Sequence, residues 1–162
     1  MKALKIAVLA ALVSAVCSIP AFAQGKLISL PAPGFDDEVN FDTTVKDLDL
    51  AAREGIAPEG GYYVLMGSVG SIIYTSGEDE PFSAIVELVT GEWEGTSNVQ
   101  KYHVYLRVSG PEFEAEFKKS NKRGIKVGMS LIVVVRFAEL AKALQGGSTA
   151  AFFDTYKVRV VI

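Results

Sequence analysis

The chain has 162 residues, 49% apolar and 22% charged, with a formal net charge of −3 and 15 glycines. One domain of ordinary size is the expectation at this length. Ten percent aromatics and a positive mean hydropathy exclude a disordered tail or a collagen-like repeat.

The N-terminus reads as a targeting segment rather than as structure. Lys2 and Lys5 precede an apolar run from Ile6 to Val16; Pro20 follows, and Ala21-Phe22-Ala23 has the small-x-small form of a cleavage site. The run is short of the roughly 20 residues that a bilayer-spanning helix needs. A signal peptide over 1–23 is therefore expected, leaving no transmembrane anchor. A lipid anchor on Cys17 is disfavoured, because Val16 precedes it where a small residue is needed. Cys17 is the one cysteine, so the remaining chain would hold no disulfide, no thiolate nucleophile and no cysteine metal ligand. The location implied is periplasmic or secreted. Charge is uneven beyond this point: 24–99 is acidic and 100–162 is basic. Such asymmetry can orient a partner, although the simpler reading is that the two halves neutralise each other across one surface.

Residues 24–59 are expected to form an N-terminal arm and a short helix. Pro31, Pro33, Gly34 and the run Asp36-Asp37-Glu38 show no period, so 24–42 reads as extended and mobile. Thr44, with Asp47 three residues on, starts a helix predicted over 44–54; Val45, Leu48 and Ala52 supply its apolar stripe and Gly55 its stop. Pro58, Gly60 and Gly61 mark a boundary. From Tyr62 the pattern turns to strands. The first covers 62–74, with Gly67 and Gly70 marking a bulge or bend. A polar turn leads to the second, 82–90, and 91–98 is a loop or strand extension carrying Trp93. The third, 99–108, alternates cleanly: Tyr102, Val104, Leu106 and Val108 on one face; Lys101, His103, Tyr105 and Arg107 on the other. Pro111 opens a short helix over 111–119, with Glu112, Glu114 and Glu116 early, Lys118 and Lys119 late, and Phe113 and Phe117 on one face. A fourth strand is predicted over 126–137, a helical turn from Phe137 to Leu144, and a fifth strand over 153–162. In that last strand Tyr156, Val158, Val160 and Ile162 alternate against Lys157, Arg159 and Val161.

Little in the chain suggests catalysis. His103 is the single histidine and no Gly-x-Ser-x-Gly elbow is present. One imidazole with only carboxylates is an uncommon zinc set. Asp36-Asp37-Glu38 and Glu78-Asp79-Glu80 lack the spacing of a calcium loop and read as solvated turns. Gly67-x-x-Gly70 lies inside a strand rather than ahead of a helix, which argues against phosphate cradling. No metal, no cofactor and no enzymatic activity are expected.

The element order over 60–162 resembles the OB-fold: a mainly β, five-stranded Greek-key barrel with a helix between its third and fourth strands. The carriers are the glycine-broken strand 62–74, the helix from Pro111, and Ile125-Lys126-Val127-Gly128 leading into strand four. The same strands would also suit an SH3-like or other small barrel. The nearest comparison is with small exported bacterial OB-fold proteins. In such folds ligands cross strands two and three. Parity then makes Trp93, Lys101, His103, Tyr105 and Arg107 the candidate ligand-binding residues, an aromatic and basic face unless the segment 138–152 or the N-terminal arm covers it. The resemblance and the leader together imply a binding module of the cell envelope that takes a protein or peptide. The alternative is an oligosaccharide or single-stranded nucleic acid, nucleic acid being disfavoured by the acidic charge and by export.

Overall fold

The computed structural model describes residues 39–161, apart from 78, 79, 119, 122 and 123. All of them belong to one compact unit. The leader expected over 1–23, Cys17, the acidic run 36–38 and most of the expected arm lie outside the described residues.

The elements are β1 (Val39–Asn40), α1 (Val45–Arg53), β2 (Tyr62–Tyr74), β3 (Ser83–Glu94), β4 (Asn98–Ser109), α2 (Pro111–Phe117), β5 (Ser130–Lys142) and β6 (Thr149–Val161). β2, β3 and β4 form an antiparallel meander. β4 then pairs in parallel with β6, β6 antiparallel with β5, and β5 antiparallel with the first half of β2, which closes the ring. With α2 joining the third and fourth barrel strands, this strand order is the OB-fold.

β2 serves two neighbours, and its glycines allow it. Tyr62–Ser68 pair with β5, and Ser68–Tyr74 pair with β3. At Gly67 a Cβ would stand 2.9 Å from both Leu88 Cγ and the Val89 carbonyl oxygen; at Gly70 it would stand 2.6 Å from Val89 Cγ2. The register shifts at Gly70, so the strand bends where side chains are missing.

The interior is filled by the inward residues of every barrel strand, among them Leu65, Val69, Val86, Leu88, Val104, Leu106, Leu131, Val133 and Phe153. Both helices add to this same core. Phe113 and Phe117 of α2 are buried, with Phe117 5.0 Å from the Phe82 ring. Val45, Leu48 and Ala52 of α1 are buried in the same cluster. α1 begins with a reciprocal capping box between Thr44 and Asp47. It ends at Gly55 with φ +76°, where Gly55 N–H donates to Ala52 O and Ile56 N–H to Ala51 O, the hydrogen-bond pair of a Schellman end.

Several boundaries differ from the sequence reading: strand four, expected over 126–137, covers Ser130–Lys142; strand five, expected over 153–162, is Thr149–Val161 among the described residues; and the helix expected over 111–119 ends at Phe117. Within the segment expected as an extended arm, Val39 and Asn40 pair in parallel with Tyr62 and Tyr63. Of the two readings for 91–98, loop or strand extension, 91–94 takes the second, since β3 continues through Trp93 to Glu94. There is no helical turn at 137–144, because β5 runs on to Lys142 and pairs with β6 throughout. Phe137 and Leu140 pack on the barrel core, and that burial outweighs the helical propensity of the Ala-Glu-Leu-Ala run.

Candidate functional site

The β3–β4 register is unbroken from Ser83↔Ser109 to Glu94↔Asn98. Parity therefore holds along the whole hairpin. Tyr102, Val104, Leu106 and Val108 are buried inside, and Trp93, Lys101, His103, Tyr105 and Arg107 all point away from the barrel interior. Pointing outward does not leave them open, however. Tyr105 is 0% exposed. Its ring stacks on Phe152, in a second cluster with Ala143 and Ala150 that lies outside the barrel. The turn 143–148 between β5 and β6 comes over it, with the backbone of Leu144 and Gln145 close to its hydroxyl. Burial raises the Tyr105 phenol above its ordinary pKa.

His103 is half-buried between two carboxylates. Its Nε2 lies 4.0 Å from Asp49 of α1 and its Nδ1 3.9 Å from Glu87 of β3. Asp49 is fully buried and accepts from Arg53 Nε at 3.2 Å and Nη2 at 2.5 Å, while Glu87 accepts from Ser71 at 2.9 Å. Arg107 donates to Asp154 at 2.8 Å and to Glu139 at 2.9 Å, and Asp154 foremost raises its pKa. Of the five residues expected to bind ligand, Tyr105 is therefore covered, Arg107 is bonded to two carboxylates, and His103 sits between two carboxylates at 3.9–4.0 Å without hydrogen-bonding to either. The cover is supplied by α1 and by the β5–β6 hairpin. Trp93, 69% exposed, and Lys101 stand free of it on the projecting end of the hairpin, opposite Val99 and Gly91. Beside them Glu92 is paired with Lys46, which lowers the Glu92 pKa and raises that of Lys46.

The opposite side of the barrel is built differently. Successive rows across β2, β5 and β6 read Ser68, Ser130, Val161; Met66, Ile132, Arg159; Val64, Val134, Lys157; and Tyr62, Arg136, Asp154. Three of these rows contain no carboxylate, and the Asp154 of the fourth is engaged by Arg107. Arg136, Lys157 and Arg159 are exposed and form no ion pair among the described residues. A register shift between Val134 and Val135 leaves Tyr156 without a cross-strand partner. Tyr156 consequently emerges on the same side as Lys157, 51% exposed, and meets Tyr62 edge-on at 4.9 Å. The Arg136 guanidinium lies 6.0 Å from the Tyr62 ring centre. Strict alternation puts Tyr156 on one face with Val158 and Val160, opposite Lys157; the bulge breaks that alternation. The signal for this surface was present in the alternating Lys157 and Arg159 of the last strand. Joining them to Tyr62 and Arg136 required the β2–β5 closure.

Among the described residues no cluster of three or more His, Cys, Asp or Glu side chains is placed to hold a metal ion, and no helix is long and apolar enough to cross a membrane. No protein-family model and no curated protein matches the sequence. Solved structures with a similar chain path include a small single-stranded DNA-binding protein from Streptomyces coelicolor, at TM-score 0.42 and 12% identity, covering 65% of this chain and 97% of that one. The mitochondrial single-stranded DNA-binding protein Rim1 of S. cerevisiae matches at 0.44 and 8%, covering 64% and 96%. The Plasmodium falciparum single-stranded DNA-binding protein, in complex with single-stranded DNA, matches at 0.42 and 13%, covering 62% and 91%. Each of these neighbours is a single-stranded DNA-binding protein, and Rim1 is mitochondrial. The expectations of a periplasmic or secreted location, of an envelope protein or peptide as partner, and of nucleic acid as a disfavoured partner are corrected on that finding. The likeness itself is too distant to identify ligand residues.

Proposed function

We propose that this chain is a non-enzymatic binder of single-stranded nucleic acid, and that the strand lies across the outer face of β2, β5 and β6. The observation that carries this reading is the run of Arg136, Lys157 and Arg159, without ion pairs among the described residues, beside the Tyr62–Tyr156 ring pair, with no free carboxylate in the strand rows that hold them. A flexible polyanion needs both halves of that arrangement: cations spaced along the backbone, and ring faces on which any base can stack. The cations favour it over a neutral oligosaccharide. The face across β3 and β4 suits it less, since Tyr105 is buried and Asp49 and Glu87 bring negative charge.

The test is fluorescence anisotropy with a labelled oligothymidylate of roughly 12 nucleotides, within the usual site sizes of one such barrel. The expected result is saturable binding at low salt. Tyr156→Ala should weaken it roughly tenfold, in line with about 1–3 kcal/mol for one stacked base. Trp93→Ala and Lys101→Ala should leave it unchanged. No binding at low salt, or loss through Trp93 and Lys101 with Tyr156 inert, overturns the assignment.

A further inference from the structure

At one end of this face the strands open into a groove of about 660 Å³, lined by Val39, Asn40, Phe41, Asp42, Gly60, Gly61 and Arg136. β1, β2 and β5 lie side by side there, with Val39 beside Tyr62 and Tyr62 beside Arg136. The groove is thus continuous with the Tyr62–Arg136 row, and its size suits one small-molecule moiety.

Its lining is chemically unlike the rest of the face. Phe41 is 70% exposed, so one face of its ring is open to a ligand in the groove. Gly60 and Gly61 contribute backbone and no side chain to the wall. Asn40 Oδ1 accepts from the backbone N–H groups of Asp42 and Thr43 at 3.0 and 2.9 Å, which fixes the turn after β1. The Asp42 carboxylate takes no hydrogen bond or ion pair among the described residues. A carboxylate there repels a phosphate and can accept hydrogen bonds only from a ligand group that donates.

Given the nucleic-acid reading above, on which this step rests, we infer that the groove is a base subsite selective for guanine. Splayed bases in single strands are read on their Watson–Crick edges and stacked on aromatic side chains. A carboxylate accepts two parallel N–H groups. Guanine is the one common base whose Watson–Crick edge offers two adjacent donors, the ring N1–H and the exocyclic N2–H. Phe41 supplies the stacking face, and Arg136, at the junction with the strand face, meets the phosphate that follows.

Three labelled oligonucleotides of roughly 12 residues test this: all thymidine, and thymidine with one guanosine at either end. One guanosine-ended probe should bind at least about fivefold tighter than all-thymidine, the low end for one bidentate base contact. Asp42→Asn, which keeps shape and removes the charge, should bring that ratio to about one without weakening the all-thymidine probe. Phe41→Ala should weaken the preferred guanosine probe. Thermal melts of both variants should match the unsubstituted protein, because the Asp42 side chain and the exposed Phe41 ring hold nothing else. Equal affinity for all three probes, a preference that survives Asp42→Asn, or an inert Phe41→Ala would each overturn the subsite while leaving strand binding intact. Failure to bind any probe would overturn the parent reading instead.

Discussion

Tyr105 and Phe152 stack with ring centroids 4.9 Å apart and planes inclined by 19°, outside the barrel and yet fully or almost fully buried. They belong to β4 and β6, the parallel pair of the ring, and sit opposite one another in its register. A stacked pair in this position turns the usual ligand face of the fold into a second small core. Tyr105→Ala should therefore act as a core truncation and cost about 3–5 kcal/mol of stability, the range for a buried aromatic. Denaturant melts check it, and a loss under about 1 kcal/mol would show that the β5–β6 turn does not cover the ring. Burial also raises the Tyr105 and Tyr63 phenols. Both stay neutral in the folded state at a pH where the unfolded chain ionises. The stability they support is full below about pH 10 and declines as pH rises through that value toward the folded pKa.

The capping box of α1 supplies a prediction at the other end of the pH scale. The Thr44 hydroxyl and backbone N–H hold the Asp47 carboxylate below its ordinary pKa. A lowered folded pKa gives stability that is present above the unfolded value of about 3.9 and is lost as pH falls below it. Thr44→Ala should cost about 1 kcal/mol at neutral pH. It should also flatten the acid limb of the stability curve below about pH 4. Melting temperatures measured across that range separate this from a simple packing loss, which would shift the curve without changing its slope.

α2 closes the barrel with Phe117 packed at 5.0 Å from Phe82 and 6.5 Å from Tyr74. Phe117→Ala should cost about 3–5 kcal/mol. Phe117→Leu should recover most of it, because volume is largely conserved. Equal losses for the two variants would mean that ring geometry, rather than filled space, holds α2 in place.

Where local chemistry decides an element, the sequence is explicit. The span of β2, the Thr44 cap, the Gly55 stop, Pro111 at the head of α2 and the inward parity of β4 all follow from residues a few positions apart. What it conceals is set by distant partners. Tyr105 is covered from β6 and from the turn 143–148, nothing near it in sequence. Tyr156 changes face because one residue of β6 has no partner on β5. His103 and Arg107 alternate with apolar residues as solvent-facing side chains do, yet their carboxylate partners come from α1, β3, β5 and β6. Periodicity separates inside from outside of a strand. It does not tell whether the outside is bare.

The salt dependence of binding bears most directly on the β2–β5–β6 face. Arg136, Lys157 and Arg159 stand there unpaired, so each is available to displace a counterion from a phosphate. For single strands the logarithm of the binding constant falls with the logarithm of salt by about 0.7 per phosphate neutralised. Three contacts imply a slope of about −2. The double variant Lys157→Gln, Arg159→Gln should reduce it to about −0.7, with the affinity loss greatest at low salt and shrinking as salt rises. Both residues are exposed and unpaired, so melting temperature should hold. Tyr156→Ala should behave in the opposite way, lowering affinity by a similar factor at every salt concentration and leaving the slope near −2, because stacking releases no ions. A double variant that keeps the full slope would move the phosphate track off this face, toward Lys118 and Lys126, on the segment that follows α2.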